Sequence, residues 1–538
     1  MARPTTGPLP ALTRRAFLHR VSRYGSAAVM ASLFGLELFA RDRGRFRVEG
    51  RAPAHRRNRV LVLGGGIAGL VAAYELHRLG YAVQVLEARM RPGGRCWTVR
   101  GGTEETELTG EAQRCEFAPG EYFNPGPMRL AHHHRSIVDY CRAFGLPLVP
   151  FPNVNEAAFV HRAGYPRRQL RAVLADLRGH TSELLAKVIH RGALEQPLSA
   201  EDRERLIEYL RTEGRLDASL NYPRLGETSE FGFHRDHVRG YDPAPGASAT
   251  FGEPLPGDEL EALLRAGYAM PNLVEHDLNQ QETMLTIAGG MDRLAHAFAN
   301  RLDGAIHYGA EVLELHRTAD RSAQVIFRDT TRGGEIAALD ADFCVCTLPP
   351  HLLAALPAAF ASETVSALRL VQPDVAGKTA LQFRRRFWEQ DDDIYGGRSV
   401  TDLPITQIYY PFENFGAEGA SVLIGAYHYS ETREVWDVAP AARIRLARDQ
   451  GAQIHPQYAE EFEIAFSVEW HRVRHSAMAW PWWKSAEDFN QMRATLERGD
   501  GPFLFAGDWM SVLGGWQAGA CVAAQAAVRA LHTRALAS

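Results

Sequence analysis

The spacing of apolar residues changes twice between Val60 and Arg89. Val60 to Leu63 is an unbroken apolar run, which reads as a strand buried on both faces. It stops at Gly64, and from there to Leu79 the apolar positions follow a helical pattern that closes at Gly80. A second apolar run from Tyr81 ends at Glu87. Strand, helix and strand in this order make a βαβ unit. Farther along, Leu170, Val173, Leu174 and Leu177 carry helical spacing within 169–277. Residues 287–294 open another helix, and strands are predicted at 310–315, at 324–327 and around Cys344, where the run ends in Pro349. More strand is expected from Lys378 to Phe383 and on through Tyr427, then at 503–505, before an alanine-rich helix from Ala518. The Gly- and Pro-rich stretch 240–257 is too long and polar for a simple connection, which predicts a lid or a loosely ordered surface excursion.

The glycines of the βαβ unit give it a chemistry. Gly64 permits the tight turn, Gly66 lets a pyrophosphate approach the backbone at a helix N-terminus, and Gly69 lets helix and strand pack closely. Glu87, at the end of the second strand, is placed to accept ribose hydroxyls. The alternative is a tight βα turn with nothing bound.

The residues after Glu87 narrow the choice of cofactor. Glu87-Ala88-Arg89 runs on to Gly93-Gly94-Arg95, a sequence that resembles the flavin amine oxidase superfamily. The resemblance implies FAD, with Arg95 meeting its pyrophosphate through directed, charge-assisted bonds. Gly126-Pro127-Met128-Arg129, the stretch 140–146, the stretch 396–404 with Tyr409-Tyr410-Pro411, and Gly515-Trp516 together resemble FAD-dependent L-amino-acid oxidases, over most of the chain from about Arg59. That family implies an α/β fold: a discontinuous Rossmann-type FAD-binding domain, a mixed-sheet substrate-binding domain and a helical subdomain. The expected boundaries are a basic N-terminal arm at 1–55, FAD-binding parts at 56–110, 281–369 and 476–538, substrate-binding parts at 111–168 and 370–475, and the helical subdomain at 169–280.

The resemblance also carries roles onto matching positions. Arg129 pairs with a substrate carboxylate, whose burial in an apolar flavin pocket demands a bidentate cationic partner. Tyr427 meets the same carboxylate through its hydroxyl. Trp516 faces the substrate, and the Gly515 carbonyl is available to the amino group. Lys378 holds a water beside the flavin and supports its reduced state. A backbone contact to adenine comes from Val312. Ala68, Ala88, Arg89, Gly94, Met128, Arg129, Gly507, Asp508, Gly515, Trp516, Gln517 and Ala520 complete the expected cofactor surroundings. Asp508 stands where many relatives have glutamate. Trp480, Trp482 and Trp483 could line a side-chain pocket, with packing the expected role for most of them.

Composition changes this picture little. Of 538 residues, 46% are hydrophobic and 23% charged, which describes a globular enzyme long enough for more than one domain. A net charge of -4 with no basic patch gives no reason to expect nucleic-acid binding. The basic residues are almost all arginine, with lysine only at 187, 378 and 484, so a lysine inside a motif carries weight. Six scattered cysteines make no disulfide framework, and Cys344 and Cys346 read as small apolar filling of a strand. His132, His133 and His134 are not expected to bind metal, because consecutive residues on a helix point in different directions. No cysteine or histidine lies in a flavin-attachment motif, so FAD should be held noncovalently.

Residues 1–59 hold 13 arginines and three acidic residues, with Thr13-Arg14-Arg15-Ala16-Phe17-Leu18 ahead of an apolar stretch at 27–40. This resembles a twin-arginine export signal and implies a periplasmic or secreted enzyme, the alternative being a retained basic arm and a cytoplasmic one. The apolar stretch is too short and interrupted for stable membrane insertion. The expected partners are an L-amino acid and O2, and the expected assembly is a homodimer. The expected reaction takes the L-amino acid to a 2-oxo acid, ammonia and hydrogen peroxide. A 2-monooxygenase giving an amide, or an amine oxidase, stands as the alternative within the enzyme class, and a flavin-stabilised binding protein outside it.

Overall fold

The computed structural model describes residues 46, 48–53, 58–193, 198–223, 238–242, 252–269, 273, 278–320 and 322–537. The export-signal pattern and the centre of the Gly/Pro-rich loop, 243–251, lie outside the described residues. The loop's ends are described: Tyr241–Asp242 pairs antiparallel with Glu253–Pro254, so the stretch closes on itself as a hairpin base.

Two larger sheets organise the chain. The first has five parallel strands in the order Ile306–Tyr308, Ala82–Glu87, Arg59–Leu63, Phe343–Cys346 and Phe503–Phe505. Its strands come from three distant parts of the sequence because parallel neighbours need crossovers, and here two crossovers contain whole further layers. The helix Ile67–Leu79 links the first two strands and packs on the long helix Gln517–Ala537. Ala518, Ala520, Ala523, Ala524 and Ala527 are buried on that helix, and their small side chains permit the close approach. Cys344 and Cys346 are fully buried in the strand Phe343–Cys346, and all six cysteines are buried free thiols.

The second sheet has seven strands in the order Phe462–Glu469, Ala376–Phe383, Ser421–Tyr429, Gln407–Tyr409, Arg398–Thr401, Phe159–His161 and Arg168–Gln169. It is mixed: Arg398–Thr401 runs parallel to Phe159–His161, and the other pairings are antiparallel. A three-stranded antiparallel sheet, Ala310–Arg317, Ala323–Asp329 and Glu335–Ala341, flanks the first. Helices Leu170–His190, Ala200–Gly214 and Leu260–Ala266 occupy the stretch where helical spacing predicts them. No described helix is long and apolar enough to cross a membrane.

Candidate active site

The turn after Arg59–Leu63 shows why its glycines are there. Gly64 sits at φ +97°, a conformation that a side chain disfavours, and a Cβ on Gly69 would lie 1.9 Å from the Gly64 carbonyl oxygen. Gly66 differs from both. It caps the helix Ile67–Leu79 in an extended conformation with no side-chain cap, and a Cβ placed on it would meet no atom within 4 Å. The space beside it belongs to a cavity of about 690 Å³.

Every residue assigned a site role from the sequence lines that cavity except Gly69, which serves the packing role expected of it. One end is formed by Gly64, Gly66, Ala68, Glu87, Ala88, Arg89 and Gly94, with Val312 from the flanking sheet. Glu87 is fixed there: Oε2 accepts from the Gly65 amide at 2.6 Å and Oε1 from the Arg89 amide at 2.8 Å. A carboxylate has about four lone-pair sites, so two remain for hydroxyls. Gln517 and Ala520 bring a second helix N-terminus to the same cavity. Two helix N-termini, with their amide donors and positive dipole ends, suit a pyrophosphate, and the open face at Gly66 suits its close approach.

Arg95 has partners within the protein as well. It lines the cavity, but Nη2 donates to Asp508 Oδ1 and Nη1 to the Ala479 carbonyl at 2.8 Å. Its charge is therefore partly matched within the protein, and Asp508 also accepts from the Gly515 amide at 3.2 Å. Asp508 thus ties Arg95 to the Gly515-Trp516 turn. Cys96, also in the wall, accepts from Gln517 Nε2 at 2.8 Å, and burial pushes its thiol pKa up, which keeps it protonated.

At the other end of the cavity the strands Ala376–Phe383 and Ser421–Tyr429 place Lys378 directly opposite Tyr427. Lys378 is only 2% exposed. Its Nζ donates to the carbonyls of Asn124 at 3.1 Å and Gly126 at 2.6 Å and lies 4.5 Å from the Tyr427 ring centroid. Burial, with a smaller contribution from Arg129, holds its pKa well below 10.5. A neutral amine still has two N–H donors, enough for both carbonyls.

This sets the sign of a pH dependence. Between the depressed folded pKa and 10.5 the unfolded chain keeps a proton that the folded chain lacks, so the stability of the folded state rises with pH across that window. Replacing Lys378 by Met removes the titration. Thermal melts of both proteins from about pH 6 to about pH 10 should show wild type gaining on the variant as pH rises. Parallel curves would mean that Lys378 is not desolvated.

Arg129 comes from the irregular segment after the Tyr122–Phe123 strand and is 8% exposed. Nη1 donates to the Tyr409 hydroxyl at 2.7 Å. Met128 beside it is buried, and Trp516 closes the wall across the cavity. Tyr429 and Gln280 also line the cavity, and nothing local in the sequence marks either of them. Of the three tryptophans near the C-terminus, Trp480 lines the cavity, and its Nε1 donates to Asp374 at 2.9 Å. Trp482 is half exposed, and Trp483 packs on Phe489.

The three histidines are not placed on a helix as their spacing suggested. They lie in a turn before the helix Arg135–Ala143, not on it, so two of them converge. His133 and His134 both place Nε2 against Asn279 Oδ1, at 3.2 and 2.9 Å, and the His134 ring meets Trp516 edge-on at 4.9 Å. No cluster able to hold a metal ion occurs among the described residues.

The sequence profile of the flavin-containing amine oxidoreductases matches residues 67–532. The chain belongs to that family. An L-amino-acid oxidase from Gloydius blomhoffii is 30% identical over 387 residues, 68% of this chain and 66% of that one. YobN of Bacillus subtilis (strain 168), named provisionally for the same activity, is 25% identical over 474 residues, 86% of this chain and 92% of that one. Among solved structures, cyclohexylamine oxidase from Brevibacterium oxydans superposes with a TM-score of 0.57 at 16% identity, covering 89% of this chain and 99% of that one. At that identity the likeness is one of fold. Family membership makes the protein a flavin enzyme, and the cavity has the cradle that a flavin dinucleotide needs.

Proposed function

We propose that the protein is an FAD-dependent L-amino-acid oxidase that holds its cofactor noncovalently. The observation that carries this reading is Arg129, a buried guanidinium in the wall of the cavity, next to Tyr427 and Lys378. An amine substrate offers such a guanidinium no anion to pair with; an amino acid brings a carboxylate, which it pairs with. The name of the Gloydius blomhoffii relative favours the same choice.

Gly64, Gly66, Glu87, Arg89 and the two helix N-termini would hold the dinucleotide, and Val312 would contact it from the flanking sheet. When bound, FAD supplies a two-electron acceptor for the hydride of the substrate Cα, which O2 then reoxidises. The rest is positioning by the chain. Arg129 and the Tyr427 hydroxyl fix the carboxylate, while Trp516 and the Gly515 carbonyl confine the amino group. With the amine neutral, no side-chain base is required, so orientation and electrostatics supply the rate enhancement. Lys378, buried and with its pKa held well below the usual lysine value, stands at the cavity wall where it can carry or release a proton at Nζ.

A peroxide assay across the twenty L-amino acids, with ammonia and 2-oxo acid measured alongside, tests this reading. Stoichiometric peroxide, ammonia and 2-oxo acid are expected. An amide product would make the protein a monooxygenase, and turnover of amines alone an amine oxidase.

A further inference from the structure

A guanidinium gives a carboxylate two parallel bonds only when its plane is fixed. Arg129 lies outside any strand, beside Leu130, whose backbone bridges Leu285, and that bridge does not fix the far end of a long side chain. Its anchor is elsewhere. Tyr409, buried at the end of the strand Gln407–Tyr409, accepts from Arg129 Nη1 at 2.7 Å and from Arg398 Nη1 at 2.9 Å through the same hydroxyl oxygen. A phenol oxygen has two lone pairs, and these two bonds use both. The Tyr409 ring also lies under both cations, its centroid 5.4 Å from the Arg129 guanidinium carbon and 5.8 Å from that of Arg398.

Arg398 and Tyr409 are themselves cross-strand partners in the seven-stranded sheet. Both are mounted on regular, buried backbone, whereas Arg129 is not. Tyr409 also lines a smaller cavity of about 80 Å³ together with Phe151 and Phe412, so there is space beside the ring as well as the main cavity in front of Arg129. The ring is thus held in part by its polar contacts, and the hydroxyl links the sheet to the Arg129 side chain.

We propose that Tyr409 is a positioning residue of the substrate site and that Arg398 positions Tyr409, so that the orientation of Arg129 is set by the sheet. The inference rests on the reading of Arg129 as the carboxylate partner. It makes Tyr409 and Arg398 determinants of specificity for carboxylate-bearing substrates without either touching the substrate.

Tyr409→Phe keeps the ring and removes only the acceptor. Steady-state kinetics of the holoenzyme should show KM for the L-amino acid rising by about 10- to 100-fold, the scale of a lost bond to a charged group, with kcat falling less. The matching decarboxylated amine should be turned over as in wild type. Benzoate, a carboxylate without an amino group, should weaken as a ligand by a similar factor when titrated against flavin absorbance. Arg398→Met should move the same quantities in the same direction, and the double variant should be no worse than Tyr409→Phe alone. Unchanged KM and benzoate affinity in Tyr409→Phe would overturn the proposal, as would an equal loss on acid and amine, which would mark a merely structural role. A double variant with the two losses added would overturn the part assigned to Arg398. If Tyr409→Phe does not fold, Arg398→Met with the same substrates and benzoate carries the test. Failure of the underlying reading looks different: Arg129→Ala would then leave the preference between acid and amine unchanged.

Discussion

Replacing Arg129 by alanine is expected to lower kcat/KM for an L-amino acid by about 3–5 kcal/mol, roughly 150-fold to 5,000-fold, while the flavin is retained. The size of the loss comes from burial. Arg129 is 8% exposed in the cavity wall, so a carboxylate that enters without it stays desolvated and unpaired. Water cannot restore the bond unless the truncated side chain admits it, and the smaller value in the range allows for that. The decarboxylated amine never used the clamp and should lose far less. Stopped-flow flavin reduction with both substrates, in wild type and variant, isolates the step before oxygen enters. A variant that loses both activities by the same factor would move the assignment to an amine oxidase.

The parts of this site that could be read from the chain are those whose signal is local. The turn at Gly64 to Gly69 and the strand that ends at Glu87 are fixed by periodicity, by the left-handed conformation of Gly64 and by the close approach at Gly69, and both lie within about thirty residues, the span of one βαβ unit. Lys378 and Tyr427 were legible through resemblance and through the scarcity of lysine, and their cross-strand pairing explains why the two act in one place.

Arg398 and Tyr409 lie in stretches that carry the resemblance, but their meeting with Arg129 had no such signal. Arg398 faces Tyr409 across a strand pairing, and Arg129 reaches the same hydroxyl from 280 residues away, a meeting that no short-range pattern encodes. Arg95 shows the same limit in another form. Its Gly-Gly-Arg turn announces an anion, but the carboxylate it meets, Asp508, lies 413 residues away. The histidine run differs from its helical reading in geometry alone: its residues sit in the turn before the helix, and in a turn adjacent side chains can face the same acceptor, as His133 and His134 do at Asn279.

Gly66→Val is expected to give a folded protein without flavin. Gly66 has φ -70° and ψ 176°, a conformation open to any residue, and a Cβ there meets no protein atom within 4 Å. The added side chain therefore costs the fold little and fills only the space beside the helix N-terminus. Overlap with a pyrophosphate should cost about 1–3 kcal/mol and a displaced charge-assisted bond about 1.5–3 kcal/mol, so affinity should fall roughly 100-fold or more. Gly69→Ala is the contrasting case. Its Cβ would fall 1.9 Å from the Gly64 carbonyl oxygen, so the turn itself must shift and the protein should lose stability along with its cofactor. Visible absorbance at purification, thermal melting and flavin titration of the apoprotein separate the two. A yellow Gly66→Val protein with stoichiometric flavin would show that the dinucleotide does not lie against this turn.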